Sequence, residues 1–172
     1  MHGSLSAAEQ WSSYIELLPN FEIVTPDLPG HGIRIAEKFT TESTMAIIDQ
    51  EVSNTDQPVI LAGHSLGGYM ALLYAARNPG KLAGLALMGT SADPKTKLAV
   101  LYSGFAKFSQ GFNQKLLYKI RNGIASALQV DPGDIPAKNS YAVLPDAWGA
   151  VISECSAELL SKVDCPVLIV NG

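Results

Sequence analysis

Four short apolar runs punctuate the chain: FEIVT at 21–25, PVILA at 58–62, LAGLALM at 82–88 and PVLIV at 166–170. Each is about strand length and shows little polar alternation, the pattern of strands covered on both faces in a parallel sheet. Between them the period becomes helical. Ser6-Ala7-Ala8-Glu9 reads as a capping box that opens a helix through Trp11, Tyr14, Ile15 and Leu18, with Pro19 closing it. Residues 42–53 place Met45, Ile48 and Val52 on one helical face. Leu66 to Arg77, LGGYMALLYAAR, is apolar almost all round and reads as a buried helix stopped by Asn78-Pro79-Gly80. The alternation predicts an α/β fold with a mostly parallel sheet and flanking helices.

The spacing then changes. About 75 residues separate the third apolar run from the fourth, far more than a simple crossover needs. The excess holds two amphipathic stretches, around Leu98 to Ser109 and Gln114 to Leu128, and a loop-like DPGDIPAKNS at 131–140. It predicts a helical cap insertion over one end of the sheet at about 95–145, within a single domain spanning 1–172. A pair of surface helices in an enlarged crossover is the plainer alternative.

Composition narrows the function classes. The chain has 172 residues, 47% of them hydrophobic and 16% charged, enough for one sizeable core. Its formal charge of −4 comes without any basic cluster larger than the two lysines of Pro94-Lys95-Thr96-Lys97, which argues against a nucleic-acid partner. No apolar run approaches the roughly 18 residues of a membrane helix. Met1-His2-Gly3 shows no leader pattern. Cys155 and Cys165 are the only cysteines, too few for a zinc site, and a reducing cytoplasm is the expected compartment.

The chemistry concentrates in LAGHSLGGY at 61–69. Gly63-His64-Ser65-Leu66-Gly67 matches G-x-S-x-G, preceded by a strand pattern and followed by a buried-helix pattern. A serine on a sharp strand-to-helix turn sits in a strained backbone, so Gly63 and Gly67 must lack bulk for strand and helix to pass closely. The helix start brings unpaired N–H groups and a positive dipole end to an oxygen that becomes anionic. The bland alternative is a glycine-rich packing turn with an idle serine.

Together with three further stretches, the chain resembles an α/β-hydrolase-fold protein of the bacterial esterase-like group. His2-Gly3-Ser4 is similar to the family's HG loop, Asp27-Leu28-Pro29-Gly30-His31-Gly32 to its D-x-P-G-x-G loop, and Cys165 to Gly172 (CPVLIVNG) to its seventh strand. The resemblance implies Ser65 as nucleophile, the backbone N–H groups of Leu66 and Ser4 as the oxyanion hole, a small-molecule acyl substrate and no cofactor. It also implies a catalytic acid after the seventh strand and a histidine after the eighth, both beyond Gly172, and a buried strand ahead of the HG loop where only Met1 stands. The expectation is therefore a fold incomplete at both ends, an internal piece of a protein of roughly 250–300 residues, inactive by itself. Without the missing strand, the segment at 21–25 faces either a gap of nearly 10 Å to the strand at 58–62 or a new pairing, since strands sit about 4.8 Å apart.

Ser65 needs a base, and the base an orienting carboxylate. Of the three histidines, His64 adjoins the nucleophile and is expected to point away from it, while His2 and His31 belong to loops that shape the backbone, with a structural or substrate-rim role. Asp93 is a fallback acid whose plainer role is to cap the following segment. Asp27 shapes its turn, and Asp146 caps the helix through Trp148 and Val151. The leading function is a serine hydrolase acting on carboxylic esters or related small, fairly apolar acyl compounds. Lactonase, thioesterase, C–C hydrolase and lyase chemistries use the same elbow. A non-catalytic protein binding a ligand or partner in the same pocket, and a chain that borrows strands and triad members from a second polypeptide, are the alternatives. The oligomeric state stays open.

Overall fold

The computed structural model describes residues 1–90, 93, 94, 104, 113–127 and 141–171. Strands β1 (Ile60–His64), β2 (Gly84–Met88) and β3 (Val167–Val170) form a parallel sheet in that order. Ile60 lies opposite Gly84, and Leu85 opposite Val167. Three of the four apolar runs are thus strands, as their lack of polar alternation predicts.

The fourth, at 21–25, is not a strand. Phe21 and Val24 are 59% and 55% exposed, and no ladder forms along the segment. The free edge of β1 is engaged instead by the first residue: the Met1 amino group donates to the Ala62 carbonyl, and His64 N–H donates to the Met1 carbonyl at 3.1 Å. Of the two outcomes expected for 21–25, a new strand pairing is not found. A β-prone sequence without a neighbouring backbone has nothing to pair with.

The N-terminal helix also differs from expectation. A 3₁₀ turn at Ala8–Trp11 leads into helix α1 (Ser12–Leu17), and no side chain of the SAAE stretch caps it. The Ala8 N–H donates to Asp27 Oδ1 at 2.7 Å. A carboxylate from another loop thus takes the place expected for Ser6, and charge-assisted bonds of this kind are the stronger ones. Helix α2 (Thr41–Ser53) carries its own capping box, made by Thr40 and Ser43, and buries Ile47, Ile48 and Val52 with Met45 packed beside them.

Helix α3 (Leu66–Arg77) is buried continuously from Leu66 to Ala75. It packs on β1 and β2 and against α2 and a later helix, α5 (Leu144–Glu154). Glu154 ties these helices together, accepting from the Thr41 hydroxyl and from Arg77. Asp146 lies in the first turn of α5 beside Pro145, and no side chain caps that helix. Its carboxylate therefore faces the positive dipole end rather than closing the turn. Helix α4 (Gln114–Ala127) confirms a helix in the second amphipathic stretch, with Leu116, Ile120 and Ile124 exposed along one stripe. Apart from Gly104, the stretch at 98–109 lies outside the described residues, as does the loop at 131–140.

Candidate active site

β1 runs into Ser65, and Ser65 N–H extends the ladder by donating to the Met88 carbonyl at 2.9 Å. There the backbone turns sharply, with φ 49° and ψ −114° at Ser65, and α3 starts at the next residue. Among the described residues only Ser65 and Leu5, φ 58°, are non-glycine positions with positive φ. Such a conformation costs about 1–3 kcal/mol and persists only when its surroundings enforce it. Here the Ser65 carbonyl accepts from Gly68 N–H at 3.0 Å, Tyr69 N–H at 3.1 Å and the Thr90 hydroxyl at 3.3 Å.

The flanking glycines are close-approach positions. A Cβ on Gly63 would lie 2.6 Å from the Gly67 carbonyl carbon and from Gly68 N. One on Gly67 would lie 2.5 Å from the His2 carbonyl oxygen and 2.6 Å from that of Met1. The first contact is strand against helix, as the sequence reasoning required. The second is helix against the N-terminal loop, so the loop bearing Ser4 is pressed onto the elbow. Ser65 and Ser4 are half-buried and Leu66 is fully buried. No acceptor for the Leu66 or Ser4 N–H is found among the described residues, which leaves both available to an incoming oxygen.

All three histidines are engaged away from Ser65. His2 is buried, its Nδ1–H donating to the Gly3 carbonyl at 2.8 Å and its Nε2 accepting the Leu28 N–H at 2.9 Å. Burial first, then the neighbouring His31, push its pKa down to about 3. His31 crosses the His2 ring at 5.0 Å and donates from Nδ1 to the Pro29 carbonyl at 2.9 Å, and burial lowers its pKa as well. Both rings join the HG loop to the loop at 27–32, the structural one of the two roles expected of them. His64 Nδ1 accepts from Gln10 Nε2 at 3.0 Å; burial, then the Met1 amino group, lower its pKa.

Asp27 accepts from Ala8 N–H at 2.7 Å and Ile33 N–H at 2.8 Å, so it shapes more than its own turn. Asp93 is exposed, and its charge contributes to raising the Tyr69 pKa after burial and Cys155. No group of three His, Cys, Asp or Glu side chains among the described residues could hold a metal ion. No helix among them is long and apolar enough to cross a membrane. Sequence reasoning missed Gln10 and Thr90. Gln10 carried no signal, since a polar residue in an amphipathic stretch acquires meaning only when the stretch folds against β1.

The family model of the alpha/beta hydrolase fold matches residues 1–125, and the chain belongs to that family. Over 177 aligned positions it is 30% identical to the pimeloyl-[acyl-carrier protein] methyl ester esterase of Neisseria meningitidis serogroup C, covering 91% of this chain and 68% of that one. It is 33% identical over 91 residues to the 2-succinyl-6-hydroxy-2,4-cyclohexadiene-1-carboxylate synthase of an Enterobacter species, covering 52% of this chain and 35% of that one. The structure of MenH from S. aureus superposes with a TM-score of 0.75 over 98% of this chain and 72% of that chain, at 21% identity, a likeness of fold alone. The chain spans about half to two thirds of the length of the curated relatives it matches over most of its residues.

Proposed function

We propose that this sequence carries the nucleophile and oxyanion hole of a serine hydrolase acting on carboxylic esters or related small acyl compounds. The observation that carries the reading is the enforced positive φ of Ser65 between β1 and α3, next to a Leu66 N–H that lacks an acceptor. Strain held in place at one serine, beside free donors, is what a preorganised nucleophile requires. The esterase among the relatives supports the ester class.

In this reading Ser65 Oγ attacks the acyl carbonyl and gives its proton to a base. The carbonyl oxygen becomes anionic and is held by the N–H groups of Leu66 and Ser4. The tetrahedral centre collapses, the C–O bond to the alcohol breaks, and the base protonates the leaving oxygen. Water then attacks the acyl-enzyme by the same route and frees Ser65. Since His2, His31 and His64 each hold a hydrogen bond elsewhere, none of the three is read as the base for Ser65. Helix α4, with Leu116, Ile120 and Ile124 exposed along one stripe, is read as part of a helical cap that would make the pocket apolar.

The engaged histidines also favour a second reading, a non-catalytic relative that binds a small ligand in the same pocket. A fluorophosphonate probe separates the two. Applied to the full-length protein, it labels Ser65 and spares Ser65→Ala if the enzyme reading is right; a folded full-length protein that resists labelling is a binder.

A further inference from the structure

One side chain spans the two halves of the site. Gln10 Oε1 accepts the Gly3 N–H at 2.9 Å, and Gln10 Nε2 donates to His64 Nδ1 at 3.0 Å. Gly3 directly precedes Ser4, and His64 directly precedes Ser65. The pairing has a direction. A backbone N–H can only donate, so the amide oxygen faces Gly3; the amide nitrogen can only donate, so His64 Nδ1 is unprotonated and the ring proton sits on Nε2.

The fit is close as well as directional. A Cβ on Gly3 would lie 2.8 Å from His64 Nδ1 and 3.3 Å from Cε1, so the loop rests on the ring and neither shifts without the other. Leu5, one residue beyond Ser4, holds its positive φ of 58°, a conformation that an untethered loop relaxes.

We propose that Gln10 is a positioning residue: through Gly3 and His64 it fixes the Ser4 N–H against the elbow, so that the oxyanion hole is formed before substrate arrives. This rests on the reading of Ser65 as nucleophile. The Gln10 side chain bonds Gly3 and His64 rather than Ser65, so its effect falls on transition-state stabilisation rather than on binding.

Two variants of the full-length protein test it. Gln10→Met keeps the side-chain length and removes both hydrogen bonds. Gln10→Glu keeps an acceptor for Gly3 and presents His64 with an acceptor instead of a donor. The expected result is a fall in kcat of about 10- to 100-fold for Q10M on an activated ester, with KM little changed, the scale of a misplaced oxyanion donor. Q10E recovers most of that loss. Ring ¹³C and ¹⁵N NMR of His64 is expected to show the Nε2–H tautomer in the wild type and a protonated Nδ1 in Q10E. Wild-type kcat in Q10M, or an unchanged His64 tautomer in Q10E, overturns the proposal. A wild-type protein that does not react at Ser65 overturns the nucleophile reading and this inference with it, a failure visible without any variant.

Discussion

Gly63 and Gly67 meet across the elbow: a Cβ built on Gly63 would sit 2.6 Å from the carbonyl carbon of Gly67. The last turn of β1 and the first turn of α3 therefore share a space that only glycine leaves open. Gly63→Ala is expected to lower unfolding free energy by at least about 1–3 kcal/mol, the usual range for overpacking. Backbone on the far side of the contact cannot rotate away as a side chain can. Urea titration of the purified variant checks this, and a midpoint equal to wild type would show that strand and helix are not in contact.

Ser65 should behave in the opposite sense. Its φ of 49° is strained for any residue with a Cβ and open to glycine. Ser65→Gly is expected to raise stability by about 1 kcal/mol, after the extra freedom of glycine in the unfolded chain is deducted, while abolishing acylation. Ser65→Ala keeps the strain and should leave stability near wild type. Thermal melts of the two variants side by side make the comparison, and a destabilised glycine variant would argue that the turn is relaxed.

Asp27 holds two segments with one carboxylate, taking the N–H of Ala8 at 2.7 Å and that of Ile33 at 2.8 Å. Asp27→Ala strands both donors, at a cost of roughly 2–4 kcal/mol. Asp27→Asn retains one acceptor oxygen and should lose about half as much. Denaturant titration of both variants gives the ratio; equal losses would mean that only one of the two bonds matters.

The buried histidines make stability depend on pH. His2 titrates near 6.5 in an unfolded chain and at about 3 in the fold. Above 6.5 neither state holds the proton, and stability does not vary through this residue. Between 6.5 and 3 the unfolded state takes up a proton that the folded state refuses, so stability falls as pH falls. His31 is shifted in the same direction and adds to the slope. Unfolding free energies measured from pH 7 to pH 4.5 should decline steadily, with a flatter profile for His2→Gln, whose amide oxygen can still accept the Leu28 N–H. Parallel profiles would show His2 to be accessible to protons in the fold.

How much of this was legible from the sequence depended on whether a residue's role is set by its neighbours along the chain. The strand, elbow and helix at 60–77 were, because LAGHSLGGY states its own constraints: an apolar run, small residues two positions either side of Ser65, and a helix with no polar face. The failures share one cause. A strand at 21–25 needs a second backbone alongside, and the edge of β1 is taken up by Met1. The capping of Ala8 by Asp27, the tether from Gln10 to His64 and the grip of Thr90 on the Ser65 carbonyl join segments 19, 54 and 25 residues apart. No local pattern encodes such pairings. The partner of His64, Gln10, was not legible, because it lies on a segment that reaches β1 only in the fold.

The most direct test of the account is covalent. The full-length protein is mixed with an activated ester, quenched in acid within the first turnover, digested, and the peptide containing residue 65 weighed. An acyl group on Ser65, absent from Ser65→Ala, is the predicted result. Ester turnover with the acyl group on another residue, or with Ser65→Ala as active as wild type, would contradict it.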